Sequence, residues 1–241
     1  MKNFYALLLA LLLVVPATYA QKGLSLGLNG EFTGITIVNQ NIWGYGPEYD
    51  YSLTNSSAFG FDVGYNFNDQ MGVYSGLSFM TLGQDYIDSY DDSEWERTLR
   101  FKYQVIPIMF KFSSSENTVN FIGGIGILFA MMKEAEQTWT QDGASYHETF
   151  VNPITGDDFD MGATDVTDRF EKNDIILNLE LGARIFIMDE LYVDATVNFG
   201  YGVKDINNSD WHIPNTDDTY NASHNAYGGF KVGVAYVLFG E

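Results

Sequence analysis

Eight segments of this chain alternate between apolar and polar residues with a period of two. The clearest are residues 175–187, 191–202 and 229–238, where nearly every second residue is aliphatic or aromatic. A period of two places successive side chains on opposite faces of an extended strand, and helical spacing fits none of the eight segments. The pattern therefore predicts eight β-strands, each with one apolar and one polar face.

The connections between these segments alternate between long and short. The long ones span residues 37–57, 86–96, 131–172 and 205–223, and tight turns near residues 68–70, 113–117 and 189–190 separate them. Long loops at one end of an up-and-down sheet and short turns at the other are typical of barrels in outer membranes. We therefore predict an all-β fold, an eight-stranded antiparallel up-and-down transmembrane β-barrel.

Period two alone does not say which face is outside. The eight apolar faces carry no charged residue, and a cation facing lipid at the bilayer midplane would cost about 2–4 kcal/mol. The polar faces are otherwise rich in Gly, Ala, Ser, Asn and Thr, which suit the narrow lumen of an eight-stranded barrel. We expect seven charged residues to form a structural ion-pair network inside this lumen: Glu31, Asp62, Lys111, Glu180, Arg184, Asp194 and Lys231.

Tryptophan and tyrosine gather near the long-loop ends of the segments. These two residue types prefer the headgroup level of a membrane, where one side is apolar and the other wet. We predict an aromatic belt from Trp43, Tyr45, Tyr86, Tyr90, Trp95, Trp139, Tyr201, Trp211 and Tyr227.

The first twenty residues have the layout of a cleavable secretory signal. Lys2 supplies a positive charge, residues 5–15 are apolar, and residues 16–20 form an exit of mostly small residues that ends at Ala20. The apolar run is shorter than the ~20 residues that a membrane-spanning helix needs. We expect a signal peptide at residues 1–20 and a barrel domain at residues 21–241, exported to the outer membrane of a Gram-negative cell.

Composition excludes several classes of protein. The chain has no cysteine, which rules out a disulfide scaffold, a thiolate metal site and a cysteine nucleophile. Its 32 acidic and 12 basic residues give a net charge of −20, which argues against nucleic acid as a partner. The four long loops hold 21 of the acids and three of the bases, so nearly all the excess charge lies there.

Two acidic groups in these loops could coordinate a divalent cation through oxygen ligands. They are Asp157, Asp158 and Asp160, and Asp88, Asp91, Asp92 and Glu94. Neither group has the spacing of the calcium-binding loop D-x-[DN]-x-[DN]-G, so we predict no metal and no other cofactor.

Two segments carry a resemblance to a known family. Residues 104–112 read Gln-Val-Ile-Pro-Ile-Met-Phe-Lys-Phe, and residues 71–83 contain a Gly-x-x-x-Gly-Leu hairpin return. In these segments the chain resembles the small eight-stranded outer-membrane β-barrel proteins of the PorT-like type, similar in architecture to the OmpA and OmpX barrels. It departs from the family at Val105, where members usually carry a carboxylate. The resemblance covers essentially all of residues 21–241 and implies an integral outer-membrane barrel without naming a substrate.

These observations predict a structural or surface-interaction protein with a plugged lumen. The expected partners are outer-membrane lipid and a protein at the external loops. The 42-residue segment 131–172, with a turn-like Asn152-Pro153-Ile154-Thr155-Gly156, is expected to extend a hairpin above the membrane and to offer a sheet edge or aromatic patch. The alternatives are a soluble exported carrier of an apolar ligand, similar to a lipocalin, and a small channel through the lumen charges.

Candidates for catalysis are few. His147, His212 and His224 lie in or beside the predicted long loops, and Asp210 lies near His212, so a histidine–aspartate pair at the rim could activate water. The spacing G-x-S-x-G occurs at residues 23–27, but in an alternating strand segment and without the strand-to-helix turn of a nucleophile elbow. We predict no enzymatic activity, with a rim hydrolase as the alternative.

Overall fold

Eight long antiparallel strands form the body of the protein. The computed structural model describes residues 23–39, 50–68, 70–90, 92–114, 119–214 and 219–238. The predicted signal peptide lies outside these ranges. The strands are β1 Gly23–Asn39, β2 Thr54–Asn66, β3 Met71–Tyr90, β4 Ser93–Ser113, β5 Val119–Gln141, β6 Asn173–Phe186, β7 Leu191–Gly202 and β8 Ser223–Val237.

Each strand pairs with its neighbour in sequence, and β8 pairs with β1 to close the ring. The closing register places Glu31 opposite Lys231 and Phe32 opposite Phe230. Closure pairs the backbone groups of every wall strand on both sides and removes free sheet edges. The predicted fold class, an eight-stranded up-and-down barrel, is confirmed.

The apolar faces of the strands point away from the barrel axis. Leu28, Ile125 and Phe230 are 66%, 63% and 68% exposed, whereas Glu180 and Arg184 are 3% and 6% exposed. A water-soluble protein buries its large apolar side chains, so an outer wall of exposed Leu, Ile, Val and Phe is suited to lipid. The orientation agrees with the expectation from the sequence.

Several strands run beyond the predicted boundaries. β3 continues to Tyr90 and β4 starts at Ser93, so the predicted loop 86–96 is mostly a strand hairpin. Within the predicted loop 37–57, β1 extends to Asn39, the short strand Asp50–Ser52 pairs with β3, and β2 begins at Thr54. β5 extends to Gln141, so the start of segment 131–172 lengthens the hairpin as expected.

The alternation does not reveal this extra strand length, because the apolar side chains change from the outer to the inner face partway along a continuous strand. On β4, Ile106 and Ile108 point outward, whereas Leu99 and Phe101 are 3% and 0% exposed and point inward. The solvent outside the wall changes from lipid to water between these two levels, so apolar side chains are buried inward above the membrane. The register between β4 and β5 also shifts at Lys102/Tyr103, the same level of the wall.

The segments above the barrel fold into a compact unit, which we call the cap and define as residues 142–172, 203–214 and 219–222. It contains the two-residue strand Ala144–Ser145, a hairpin of Thr149–Val151 with Asp158–Asp160, and the 3₁₀ helices Thr167–Arg169 and Ser209–Trp211. Among the described residues, no helix is long and apolar enough to cross a membrane. The predicted turn at residues 152–156 is confirmed: the Gly156 N–H donates to the Asn152 carbonyl at 2.8 Å.

A small apolar core holds the cap on the barrel. Val166, Phe170 and Ile206 are buried, and the ring of Phe170 meets that of Phe101 from β4 edge to face at 4.6 Å. The Val166 N–H donates to the Ala135 carbonyl of β5 at 3.0 Å, which continues the wall hydrogen bonding into the cap. The external end of the barrel is therefore covered by folded chain.

Candidate functional site

An ion-pair cluster crosses the middle of the lumen and joins three strands. Glu180 of β6 accepts hydrogen bonds from Lys111 of β4 at 2.9 Å and from Lys231 of β8 at 2.8 Å. Each carboxylate oxygen of Glu180 thus meets one ammonium group. Buried charges are tolerated when they are paired and hydrogen-bonded. The cluster therefore ties β4, β6 and β8 together across the barrel.

A second cluster lies nearer the short-turn end of the lumen. Arg184 of β6 donates through Nε and Nη2 to the two carboxylate oxygens of Asp194 on β7, at 2.7 and 2.8 Å. This bidentate geometry is the strong form of an arginine–carboxylate contact. The guanidinium carbon also lies 3.8 Å from the ring centroid of Tyr192, and Nη1 and Nη2 each lie 3.3 Å from the hydroxyl of Tyr74.

The two remaining lumen acids have different surroundings. Asp62 Oδ2 accepts a hydrogen bond from Asn29 Nδ2 at 2.8 Å. Glu31 is the cross-strand neighbour of Lys231, yet its Oε1 is buried without a hydrogen-bond partner in the described part of the chain. Within the same ranges neither acid forms an ion pair shorter than 4.0 Å. The structure thus gathers five of the seven predicted residues into two clusters and places Glu31 and Asp62 beside them.

Inward tyrosines fill much of the remaining lumen; the sequence analysis did not single out Tyr74 and placed Tyr227 in the aromatic belt instead. A Cβ atom on Gly64 would lie 2.3 Å from the ring of Tyr74, and one on Gly200 would lie 2.1 Å from the ring of Tyr227. These glycines are necessary because the rings lie flat against the opposing backbone. A sequence signal for such a tyrosine does exist: the tyrosine lies on the polar face of one strand, and a glycine lies on the polar face of the neighbouring strand.

The spaces in and around the lumen are small beside the ion-pair cluster and larger at the two ends. Two voids of about 30 Å³ each lie beside the Lys111–Glu180–Lys231 cluster, and a void of this size accommodates a water molecule. A recess of about 190 Å³ opens at the short-turn end, next to Tyr74 and Arg184. A cavity of about 310 Å³ lies at the other end, between the barrel and the cap.

The histidines have different partners from those expected. His212 Nε2 lies 3.1 Å from Asp205 Oδ2, so the predicted pairing with Asp210 is wrong. Asp210 lies in a 3₁₀ turn in which its backbone N–H donates to Asn208 Oδ1 at 3.3 Å. His147 contacts Asp160, and His224 Nδ1 lies 3.0 Å from the Lys204 carbonyl. Within the described ranges, no three histidine, aspartate or glutamate side chains converge where they could hold a metal ion.

Part of the predicted aromatic belt is wrong. Tyr227 is 6% exposed inside the lumen, where its hydroxyl accepts a hydrogen bond from Asn178 Nδ2 at 2.8 Å. Trp139 and Trp211 face the cavity beneath the cap. Trp43 and Tyr45 lie outside the described residues. Proximity to a loop did not predict whether an aromatic side chain points outward or inward. That direction depends on strand parity and on the register shift above the membrane.

Asp160 anchors the hairpin of the cap. Its side chain contacts His147 Nδ1 at 2.8 Å and accepts the Gly162 N–H at 2.9 Å, and both contacts hold the pKa of Asp160 below its ordinary value. A lowered pKa means that the carboxylate stabilises the cap fully above the unfolded value of about 3.9. This stabilisation is lost as the pH falls through the lower, folded pKa.

We therefore expect Asp160→Asn to increase the rate of limited proteolysis in residues 147–162 at neutral pH, because the charged acceptor is lost. Asp158→Asn, two residues away and exposed, is the matched control and should leave the rate unchanged. Wild-type protein should show the same increase in the rate of proteolysis when the pH is lowered below 4. Equal cleavage of the two variants would contradict the anchoring role.

A closed antiparallel ring with apolar side chains outside and charged groups inside defines a membrane-spanning β-barrel. The family model described as outer membrane protein beta-barrel domain matches residues 5–237, so the chain belongs to this family. It is an outer-membrane protein, and the soluble carrier is thereby excluded. The finer likeness to PorT-like proteins stays a prediction. Comparison with curated proteins gave no match.

Solved structures of other outer-membrane proteins are similar in shape to this chain. Neisserial surface protein A is 10% identical over 90% of this chain and 100% of its own, with a TM-score of 0.45. OprG from Pseudomonas aeruginosa is 11% identical over 90% and 97%, with a TM-score of 0.44. Ail of Yersinia pestis is 13% identical over 89% and 99%, with a TM-score of 0.40. These likenesses carry no functional argument.

Proposed function

We propose that the protein is a closed barrel that does not conduct and that holds a folded acidic cap at the cell surface for interaction with other molecules. The observation that carries this proposal is the filled cross-section of the lumen. Glu180 holds Lys111 and Lys231, which come from opposite walls of the barrel, and the nearby voids are of water size. The interior of an eight-stranded barrel is just wide enough for side chains to fill.

The cap supports a role at the surface. Loops longer than about 12–15 residues are uncommon and are usually either functional or disordered, and the described part of this one is folded. Here Phe170 and Ile206 pack into a core, and the Glu171 N–H donates to the Ile206 carbonyl at 2.8 Å. The excess of acidic residues in the predicted long loops keeps this surface solvated and repels nucleic acid. The partners we propose are lipid at the wall and a protein at the cap, with no catalytic step.

Planar-bilayer recording tests the closed lumen. We expect the purified full-length protein to insert without steady current steps, because the two ion-pair clusters and the inward tyrosines block the axis. A porin inserted in the same bilayers serves as the control for membrane quality. Steady nanosiemens-scale conductance from the wild-type protein would overturn the proposal and favour the small channel instead.

A further inference from the structure

The hairpin of the cap has one covered edge and one open edge. Its strands are Thr149–Val151 and Asp158–Asp160, and their register pairs Phe150 with Phe159. All three residues of Thr149–Val151, which we call the edge strand, are exposed. The hairpin therefore presents one strand of the cap to the solvent.

The other strand, Asp158–Asp160, is covered by the cap. The carbonyl of Asp160 accepts a hydrogen bond from Arg169 Nη2 at 2.6 Å. The ring of Phe159 meets that of Trp211 edge to face, with centroids 4.9 Å apart. These contacts hold the hairpin on the cap by one strand, so the edge strand is fixed in position without being covered.

The ladder of the hairpin determines which backbone groups of the edge strand are free. The Asn152 N–H donates to the Asp157 carbonyl at 2.8 Å. Because hydrogen-bonded pairs alternate along an antiparallel ladder, the N–H and C=O groups of Thr149 and Val151 point away from the partner strand. Within the described ranges these four groups make no hydrogen bond to another segment. An unpaired strand edge of this kind can accept a further extended strand.

The surface around the edge strand combines acidic and apolar side chains. Residues 144–160 contain four acidic residues and neither lysine nor arginine. Asp157 and Asp158 are exposed, and neither forms an ion pair with a residue in the described part of the chain. Val151 and Ile154 are 61% and 47% exposed. An extended partner that complements this surface carries basic side chains among apolar ones.

We propose that the edge strand binds an extended basic segment of a protein partner, which adds to the hairpin as a third strand. The backbone of the partner pairs with the N–H and C=O groups of Thr149 and Val151, and its basic side chains lie near Asp157 and Asp158. Backbone pairing at a sheet edge gives affinity, and alternate side chains give specificity. A second copy of this chain is disfavoured, because it would bring two acidic surfaces together. The inference deepens the proposed interaction role of the cap and rests on it.

Fluorescence anisotropy on the full-length protein in zwitterionic detergent micelles tests the inference, with empty micelles as the background. The probe is a dye-labelled heptapeptide of alternating lysine and valine. One comparison peptide has glutamate in place of lysine, and the other has every valine as its D-enantiomer. The D-residues keep the charge and composition but occupy the mirror-image backbone region, so this peptide cannot lie as a regular strand. We expect saturable binding of the all-L lysine peptide, weakened by salt, and at least about tenfold weaker binding of both comparison peptides.

Matched variants assign the edge. Val151→Pro removes an N–H that the hairpin does not use, so the cap should stay folded, and binding should weaken at least about tenfold. Val151→Thr keeps the N–H and the branched side chain, and as the control it should retain most of the affinity. Combining Asp157→Asn with Asp158→Asn should weaken binding and remove much of its salt dependence. Limited proteolysis of residues 147–162 checks that the hairpin is intact in each variant.

Four results would overturn the inference. The first is no saturable binding of the lysine peptide up to about 1 mM. The second is equal binding of either comparison peptide, which the wild-type protein reveals even where a variant fails to fold. The third is unchanged affinity in folded Val151→Pro. The fourth is a wild-type dimer in sedimentation that Val151→Pro dissociates, which would show that the edge pairs with a second copy.

The two proposals fail separately. Absence of peptide binding leaves the closed lumen standing, because conductance does not depend on the edge strand. Steady conductance would overturn the closed lumen and leave a measured strand addition at the cap unchanged.

Discussion

Replacing Glu180 with alanine is expected to destabilise the barrel by about 3–5 kcal/mol. The substitution leaves the ammonium groups of Lys111 and Lys231 buried without the carboxylate that both now contact at 2.8–2.9 Å. Removing one member of a buried ion pair costs more than the pair itself contributes, because the remaining charges are desolvated and uncompensated. Urea unfolding in phospholipid vesicles measures the free energy of unfolding.

The control for this experiment is Glu134→Ala. Glu134 also contacts a lysine, Lys102, at 2.9 Å, but both side chains are 46% exposed on the outer side of the wall. Exposed ion pairs contribute about 0–1 kcal/mol, so the control should change stability little. If Glu180→Ala and Glu134→Ala cost the same, the lumen cluster does not have the buried, paired character that its geometry implies.

Replacing Ile125 with lysine is expected to cost about 2–4 kcal/mol. Ile125 is 63% exposed at the middle of the apolar stretch of β5, which places it near the bilayer midplane. A charge there has to leave water for hydrocarbon, unless its long side chain reaches the headgroups. The same unfolding measurement in vesicles gives the difference from wild type.

Met131→Lys on the same face of the same strand is the depth control. It lies three alternations closer to the external end, where a lysine can extend into the headgroup region, and the expected cost is about 0–1 kcal/mol. A similar cost at the two positions would show that the outer wall does not sit in the membrane at the level assigned here.

Strand parity accounts for most of what the sequence could predict. The alternation around Glu180 and Arg184 predicted that both side chains face the lumen, and both are buried there. The contacts they make were beyond prediction, because Lys111, Glu180 and Lys231 come from three non-adjacent strands. Their meeting depends on how far the strands are staggered around the closed ring, and no local pattern records the stagger.

The cap was beyond sequence prediction for a different reason. Val166 and Phe170 are buried on either side of a 3₁₀ helix, and Ile206 is buried in an irregular segment. Such segments have no period that separates inside from outside. The partner of His212 illustrates the same point. Asp210 is closer to it in sequence, but the chain turns back so that Asp205 makes the contact. Distance along the chain predicts contacts well within a strand and poorly within such a unit.

The cap also constrains how the protein reaches its final state. With the lumen closed as we propose, a barrel crossed by Glu180 and its lysines would leave no room for passing chain, so the cap would not thread through the finished cylinder. Under this proposal, the residues of the cap would cross the membrane unfolded, while the wall is still open. β1 and β8 would then be the last strands to pair, and the cap would fold only after its residues have reached the external side of the membrane. The proposed closed lumen therefore implies an order of biogenesis in which translocation of the cap precedes closure of the barrel.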